Sequence, residues 1–238
     1  MCEILVVGAD SPVPFTRLEP WVLALERYGI AGWGWGSAHL ESDGAVNVRR
    51  AVGKLCETPE ALDELRQIES RRWIFHLRRP LRLPNVLEDM QPFYSQSLDF
   101  AYAHNGDFTN AEQFRDRFTG LLEGKVDSEI GFRMTERLME NGNSLEAALD
   151  QTLETLGGTS NIAIMYHGGN VWIYGKAMFN KLWRFQIDNL SCASTSMIMA
   201  DDSFFELVYG VLPEDRELIR GARSLLTPVS DELISATS

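Results

Sequence analysis

The segment Trp73-Ile74-Phe75-His76-Leu77-Arg78 alternates with a period of two, which puts Ile74, His76 and Arg78 on one side and Trp73, Phe75 and Leu77 on the other. That is the pattern of a strand, so a chain holding it must build a sheet. A second strand pattern at residues 98–105 likewise ends in polar residues. Residues 80–97, polar and punctuated by proline, are too long for a hairpin turn and form a candidate functional loop. Gly32-Trp33-Gly34-Trp35-Gly36 reads as another strand, with glycines that permit close backbone approach and tryptophans that pack in the core. Residues 4–7 read as a buried strand stopped by Gly8-Ala9-Asp10-Ser11-Pro12, which leaves Cys2 at the strand's mouth.

Helical spacing interleaves with these strands. Apolar residues after Pro20 (Trp21, Leu23, Ala24, Leu25, Tyr28) predict a helix stopped by Gly29. Thr58-Pro59 has the chemistry of a cap followed by a first-turn proline, and Leu62, Leu65 and Ile68 continue that helix. Phe114, Phe118 and Leu121 mark the next. Asp127 then caps a helix carrying Ile130, Met134 and Leu138, and Ser144 caps one carrying Leu145, Leu149, Leu153 and Leu156. Residues 162–166 and 171–174 form a hairpin through His167-Gly168-Gly169-Asn170. Short strands follow at 182–187 and 190–193, with a helix near 202–209. With 238 residues and no repeat, low-complexity tract or linker, residues 1–238 read as one domain of mixed strands and helices, in which 225–238 form a weakly structured tail.

Composition prunes the functions open to such a chain. A hydrophobic fraction of 45% with 24% charged residues argues against disorder, a fibre or a coiled coil. A net charge of −12 disfavours nucleic acid as a partner, and its simplest meaning is solubility. No apolar run approaches the roughly 20 residues that a bilayer requires. The first residues lack a secretory signal, and Cys2 stands where myristoylation needs glycine, so a cytoplasmic protein is expected. Three cysteines make an odd count, which excludes a complete disulfide framework. The four histidines show no metal-ligand spacing, and neither a P-loop nor a Gly-x-Ser-x-Gly elbow is present, so no metal or cofactor is expected.

Cysteine chemistry survives. Removal of Met1 would leave Cys2 with a free α-amine on the same residue as its thiol. An α-amine of pKa about 7.7–8.0 is suited to take a proton from a thiol near 8.5, so nucleophile and base would share one residue. Ala103-His104-Asn105-Gly106 supplies an amide donor followed by a glycine N–H, either a turn after a strand or an oxyanion hole. Arg78 is either half of a surface ion pair or a two-pronged clamp for a carboxylate. Asp127 is either a helix cap or a partner for a substrate ammonium. His39 and His167 read as surface or turn residues, Cys56 and Cys192 as apolar fillers or free thiols.

Taken together, Met1-Cys2, His76-Leu77-Arg78, His104-Asn105-Gly106 with Asn110, and Asp127-Ser128-Glu129 resemble, in order and approximate spacing, the class II glutamine amidotransferases among the N-terminal-nucleophile hydrolases. The likeness extends loosely along nearly the whole chain and looks most like the small amidotransferases related to the ergothioneine-pathway γ-glutamyl hydrolase. Met90-Gln91-Pro92-Phe93 is similar to that group's His-Pro-Phe segment, with Gln91 in place of the histidine. The resemblance implies an α+β fold, a four-layer αββα sandwich. It implies an amidohydrolase that cleaves the γ-amide of glutamine or a γ-glutamyl amide through an N-terminal cysteine thioester. In it Cys2 attacks, Asn105 and Gly106 hold the oxyanion, Arg78 binds the α-carboxylate and Asp127 the α-ammonium, with His76 and His104 as structural support. Two other readings stay open: a glutaminase subunit feeding ammonia to a separate synthase, and a non-catalytic binding or regulatory relative. The basic, kinked Arg79-Pro80-Leu81-Arg82 departs from the family and leaves the acyl acceptor undetermined.

Overall fold

A computed structural model describes residues 2–29, 32–80, 83–176, 179–196 and 202–226. In chain order its strands are β1 (Glu3–Pro14), β2 (Gly34–Leu40), β3 (Val46–Val52), β4 (Glu69–Arg78), β5 (Phe93–Ser95), β6 (Phe100–Asp107), β7 (Thr159–Tyr166), β8 (Val171–Gly175), β9 (Leu182–Ile187), β10 (Leu190–Thr195), β11 (Glu217–Leu218) and β12 (Gly221–Leu226). The α-helices are α1 (Phe15–Tyr28), α2 (Pro59–Arg66), α3 (Asp127–Glu140), α4 (Leu145–Leu156) and α5 (Asp202–Tyr209). One sheet runs β11-β9-β10-β1-β4-β2-β3 and the other β12-β8-β7-β6-β5, with every neighbouring pair antiparallel.

The alternation in β4 sorts its side chains between two cores. Ile74 joins Ile4, Val6 and Ala38 against Ala101, Ala103, Ala163 and Met165 of the second sheet, a seam thin enough for small side chains to meet face to face. Trp73, Phe75 and Leu77 point the other way, into a core closed by Phe15, Leu18 and Val22 of α1, Leu62 and Leu65 of α2, and Phe204 and Phe205 of α5. Trp73 and Phe75 stack at 5.4 Å, and Phe15 tilts against both. A third core joins Tyr102, Ile162 and Ile164 to Ile130 and Phe132 of α3 and to Leu149, Leu153 and Leu156 of α4. Each fully buried side chain of this size contributes about 1.5–3 kcal/mol. The result is an αββα sandwich, as the resemblance implied.

Several elements differ from the sequence reading. β1 does not stop at Gly8: it pairs with β4 through Gly8 and rejoins it at Val13↔Ser70 after a shift in register that absorbs the exposed Asp10-Ser11-Pro12. α1 begins at Phe15 and carries Pro20 inside it. Residues 111–118 form a 3-10 helix, and Leu121 beyond it is exposed. Asp127 is the first helical residue of α3 rather than its cap, which is Val126 without a side-chain bond. Ser144 does cap α4, accepting from the Ala147 N–H at 3.3 Å. Trp33 is exposed while Trp35 is buried, and His39 is buried against Trp73 with its ring on Glu41 at 3.1 Å. β12 reaches Leu226, so the first two residues of the expected tail are strand; the rest of it lies outside the described residues.

The glycines of β2 place the loop that precedes the site. A Cβ on Gly34 would run into the Met90 sulfur, and one on Gly36 into the Gln91 carbonyl and the Arg49 carbonyl. Met90 and Gln91 therefore lie directly on the β2 backbone. Gly36→Ala should cost about 1–3 kcal/mol, the usual penalty for inserting volume into packed structure, measured by urea unfolding. Unchanged stability would contradict this close approach.

Candidate active site

Cys2 precedes β1, whose pairing with β4 begins at Glu3↔Leu77, so the cysteine falls beside the last residues of β4. The Arg79 N–H donates to its sulfur at 3.5 Å. Its backbone N–H donates to Asn105 Oδ1 in β6 at 2.8 Å, a bond that joins the two sheets across 103 positions of sequence. With Oδ1 occupied, Asn105 Nδ2 is buried and has no hydrogen-bond partner among the described residues. The His104 N–H donates to Gln91 Oε1 at 2.6 Å, and Gly106, two residues on, turns its N–H to the same edge of the strand. β5 has ended there, its pairing with β6 running only from Ser95↔Phe100 to Phe93↔Tyr102. A Cβ at Gly106 would meet the Thr159 carbonyl and, at 2.9 Å, the His104 ring, so glycine is required.

These groups open on a cavity of about 250 Å³ whose walls include Cys2, Arg78, Asn105, Gly106 and Asp127. Five residues from four separate sequence segments thus share one space. Arg78 is almost wholly buried and its Nη2 lies 3.5 Å from Asp89 Oδ2. Asp89 is itself held by the N–H groups of Lys125 at 2.7 Å and Val126 at 3.3 Å, which ties the arginine to the start of α3. Asp127 accepts the Phe108 N–H at 2.7 Å through Oδ2. Its carboxylate therefore fastens the turn after β6.

The two motif histidines are buried beneath this floor. His104 Nδ1 meets Ser128 Oγ at 2.8 Å and Nε2 meets Ser160 Oγ at 3.1 Å, while its ring stacks on Phe108 at 4.2 Å. It ties α3 to β7 through β6. Among the described residues no well-formed hydrogen bond reaches either ring nitrogen of His76, although the His104 backbone interacts with its ring. Burial, with the Arg78 charge adding to it, lowers the His76 pKa to about 3; burial lowers that of His104 to about 4 against the pull of Asp127. Both are neutral at pH 7. Burial also pushes the Cys2 thiol above its ordinary value, opposed by the Arg79 N–H and the Arg78 charge. A thiol in this position needs a base to react at neutral pH.

Three residues of the site carried no signal in the sequence. Asp89 sits in the loop read only as functional, and Asn161 and Asn180 belong to no motif. Asn180 Nδ2 donates to the Cys2 carbonyl at 2.9 Å across 178 positions, and Asn161 Nδ2 donates to the Asn180 carbonyl. Gln91 was visible only as a departure. It fills its place by accepting a backbone N–H from β6.

No protein-family model matches the sequence. The glutamine–fructose-6-phosphate aminotransferase of Halalkalibacterium halodurans is 26% identical over 214 residues, which are 87% of this chain and 34% of that protein. The glutamine phosphoribosylpyrophosphate amidotransferase of Bacillus subtilis superposes with a TM-score of 0.69 at 19% identity, over 96% of this chain and 49% of the other. A glutamine aminotransferase class-II domain protein from Silicibacter pomeroyi gives a TM-score of 0.59 at 15% identity, over 82% of this chain and 88% of its own. The fold is the one these amidotransferase structures share. The sequence is similar to the glutamine-using aminotransferases and amidotransferases among curated proteins, and the chain spans about a third of the length of the curated relatives it matches. No helix among the described residues is long and apolar enough to cross a membrane.

The buried histidines set a pH dependence of stability. An unfolded histidine takes its proton near pH 6.5, whereas folded His76 and His104 resist it until about pH 3 and 4. The unfolded chain therefore binds more protons in that window. Stability is full above pH 6.5 and falls as the pH drops toward 4, by up to about 1.4 kcal/mol per pH unit for each ring. Urea unfolding from pH 7 to pH 5 should show this slope, and His76→Leu should make it shallower. An unchanged slope in the variant would contradict the burial of a neutral ring.

Proposed function

We propose that this chain is an amidohydrolase of the glutamine amidotransferase type, cleaving the γ-amide of glutamine or another γ-glutamyl amide through a thioester on Cys2. The observation that carries the reading is the Cys2–Asn105 bond, which spends Asn105 Oδ1 on the nucleophile's nitrogen and leaves Asn105 Nδ2 unpartnered at the same cavity. The shared core between the two sheets supports reading the described residues as one domain.

Removal of Met1 turns the nitrogen on Asn105 Oδ1 into the Cys2 α-amine. The amine takes the thiol proton as sulfur bonds to the γ-carbonyl carbon, and the carbonyl π electrons move to oxygen. Asn105 Nδ2 and the Gly106 N–H receive that oxyanion as two converging donors. Collapse breaks the carbon–nitrogen bond, the departing nitrogen takes the proton held by the α-amine, and ammonia or an amine leaves. Water, deprotonated by the same amine, then cleaves the thioester to release the γ-carboxylate and the thiol. The Arg78 guanidinium receives the substrate α-carboxylate while Asp89 keeps it in place, and Asp127 receives the α-ammonium.

A second reading differs only in the fate of the nitrogen. The curated relatives are named as transferases, and about two thirds of their length lies outside the match, so ammonia released here can serve a separate synthase. Glutamine turnover that is small alone and rises with such a partner would favour it.

Ammonia release from glutamine, and amine release from γ-glutamyl amides, test the proposal. Cys2→Ala should abolish both, and Asn105→Ala should lower turnover by about 10²–10³ while the fold is kept. Unchanged turnover in either variant would refute the assignment.

A further inference from the structure

Maturation creates a problem of position at Cys2. The ladder of β1 starts only at Glu3, so once Met1 is removed the cysteine is a chain end with no strand neighbour of its own. A free amine, a thiol and a carbonyl on one terminal residue can rotate independently, and misplacement by about 1 Å is enough to lower a rate 10²-fold. Asn105 holds the nitrogen; something must hold the other end.

We infer that Asn180 is a positioning residue that holds the Cys2 carbonyl and thereby aims the amine at Asn105 and the sulfur at the cavity. Its Nδ2 donates to the Cys2 carbonyl oxygen at 2.9 Å and lies 3.3 Å from Glu3 Oε2. The residue is 2% exposed and sits on the wall of the same cavity. It is fixed from behind, because its own carbonyl accepts from Asn161 Nδ2 of β7. Glu3 Oε2 is held in turn by Thr195 Oγ1 at 2.6 Å, at the end of β10. Contacts from β1 and β7 therefore meet on Asn180, and β10 holds the Glu3 side chain beside it. Asn180 Oδ1 is buried without a partner among the described residues, and leaving such an oxygen unpaired costs about 1–3 kcal/mol. An asparagine kept at that cost for packing alone is hard to account for. Maturation adds N–H donors to Cys2, the residue whose carbonyl Asn180 already holds.

This inference rests on the reading of Cys2 as nucleophile and base, and the experiment separates the two. Glutamine hydrolysis is measured against pH for the full-length wild type lacking Met1 and for Asn180→Ala, with thermal unfolding of each. A positioning role predicts that kcat falls about 10–100-fold with KM nearly unchanged, and that the acid limb of the profile, which reports the amine, moves. Equal kcat and an unmoved limb in Asn180→Ala overturn the role of Asn180 alone. No hydrolysis by the wild type overturns the reading of Cys2 itself. If Asn180→Ala does not fold, a crystal structure of the mature wild type decides: Asn180 Nδ2 within hydrogen-bond distance of the Cys2 carbonyl supports the inference, and a separation beyond 3.5 Å overturns it.

Discussion

The 2.8 Å bond from the Cys2 nitrogen to Asn105 Oδ1 is the contact on which the site turns. It joins the first residue before β1 to the end of β6, and so it exists only if the two sheets are stacked in this orientation. The small side chains of the seam, Ala38, Ala101, Ala103 and Ala163, let the sheets approach closely enough for a short amide to bridge them. Fold and site meet in that amide: one of its ends is spent on the Cys2 nitrogen, and the other, on the cavity wall, has no partner among the described residues.

Around this contact the chain places charge by backbone bonds rather than by surface pairs. Asp89 fastens Arg78 to two N–H groups at the start of α3, and Asp127 fastens α3 to the turn after β6. Burial keeps His104 neutral, able to bridge Ser128 and Ser160 as a structural ring. The loop that carries Asp89 and Gln91 can lie where it does because β2 offers glycine backbone at Gly34 and Gly36. A segment remote from the cavity in sequence thus fixes its shape.

The fold was legible wherever one period governed a whole element. The β4 alternation, the spacing in α3 and α4, and the His167-Gly168-Gly169-Asn170 hairpin read directly from their residues. Turn residues such as Asp10-Ser11-Pro12 spell a stop for β1, although a bulge carries the strand past them. His39 reads as a surface residue because a lone polar residue says nothing about the Trp73 ring that covers it. At the site, the motif residues signalled themselves by type and order, and the structure brings them to one cavity. Asp89, Asn161 and Asn180 were silent. Their contribution comes from contacts made across two sheets, which no local spacing encodes.

The central claim is that a free α-amine and a thiol on Cys2 act together on a γ-glutamyl carbonyl. Mass spectrometry of the mature chain after exposure to a glutamine-like electrophile, followed by peptide mapping, addresses it most directly. The account predicts a chain without Met1 that carries a single adduct on Cys2, blocked by excess glutamine. A chain that retains Met1, or an adduct found only on the exposed Cys56, would contradict it.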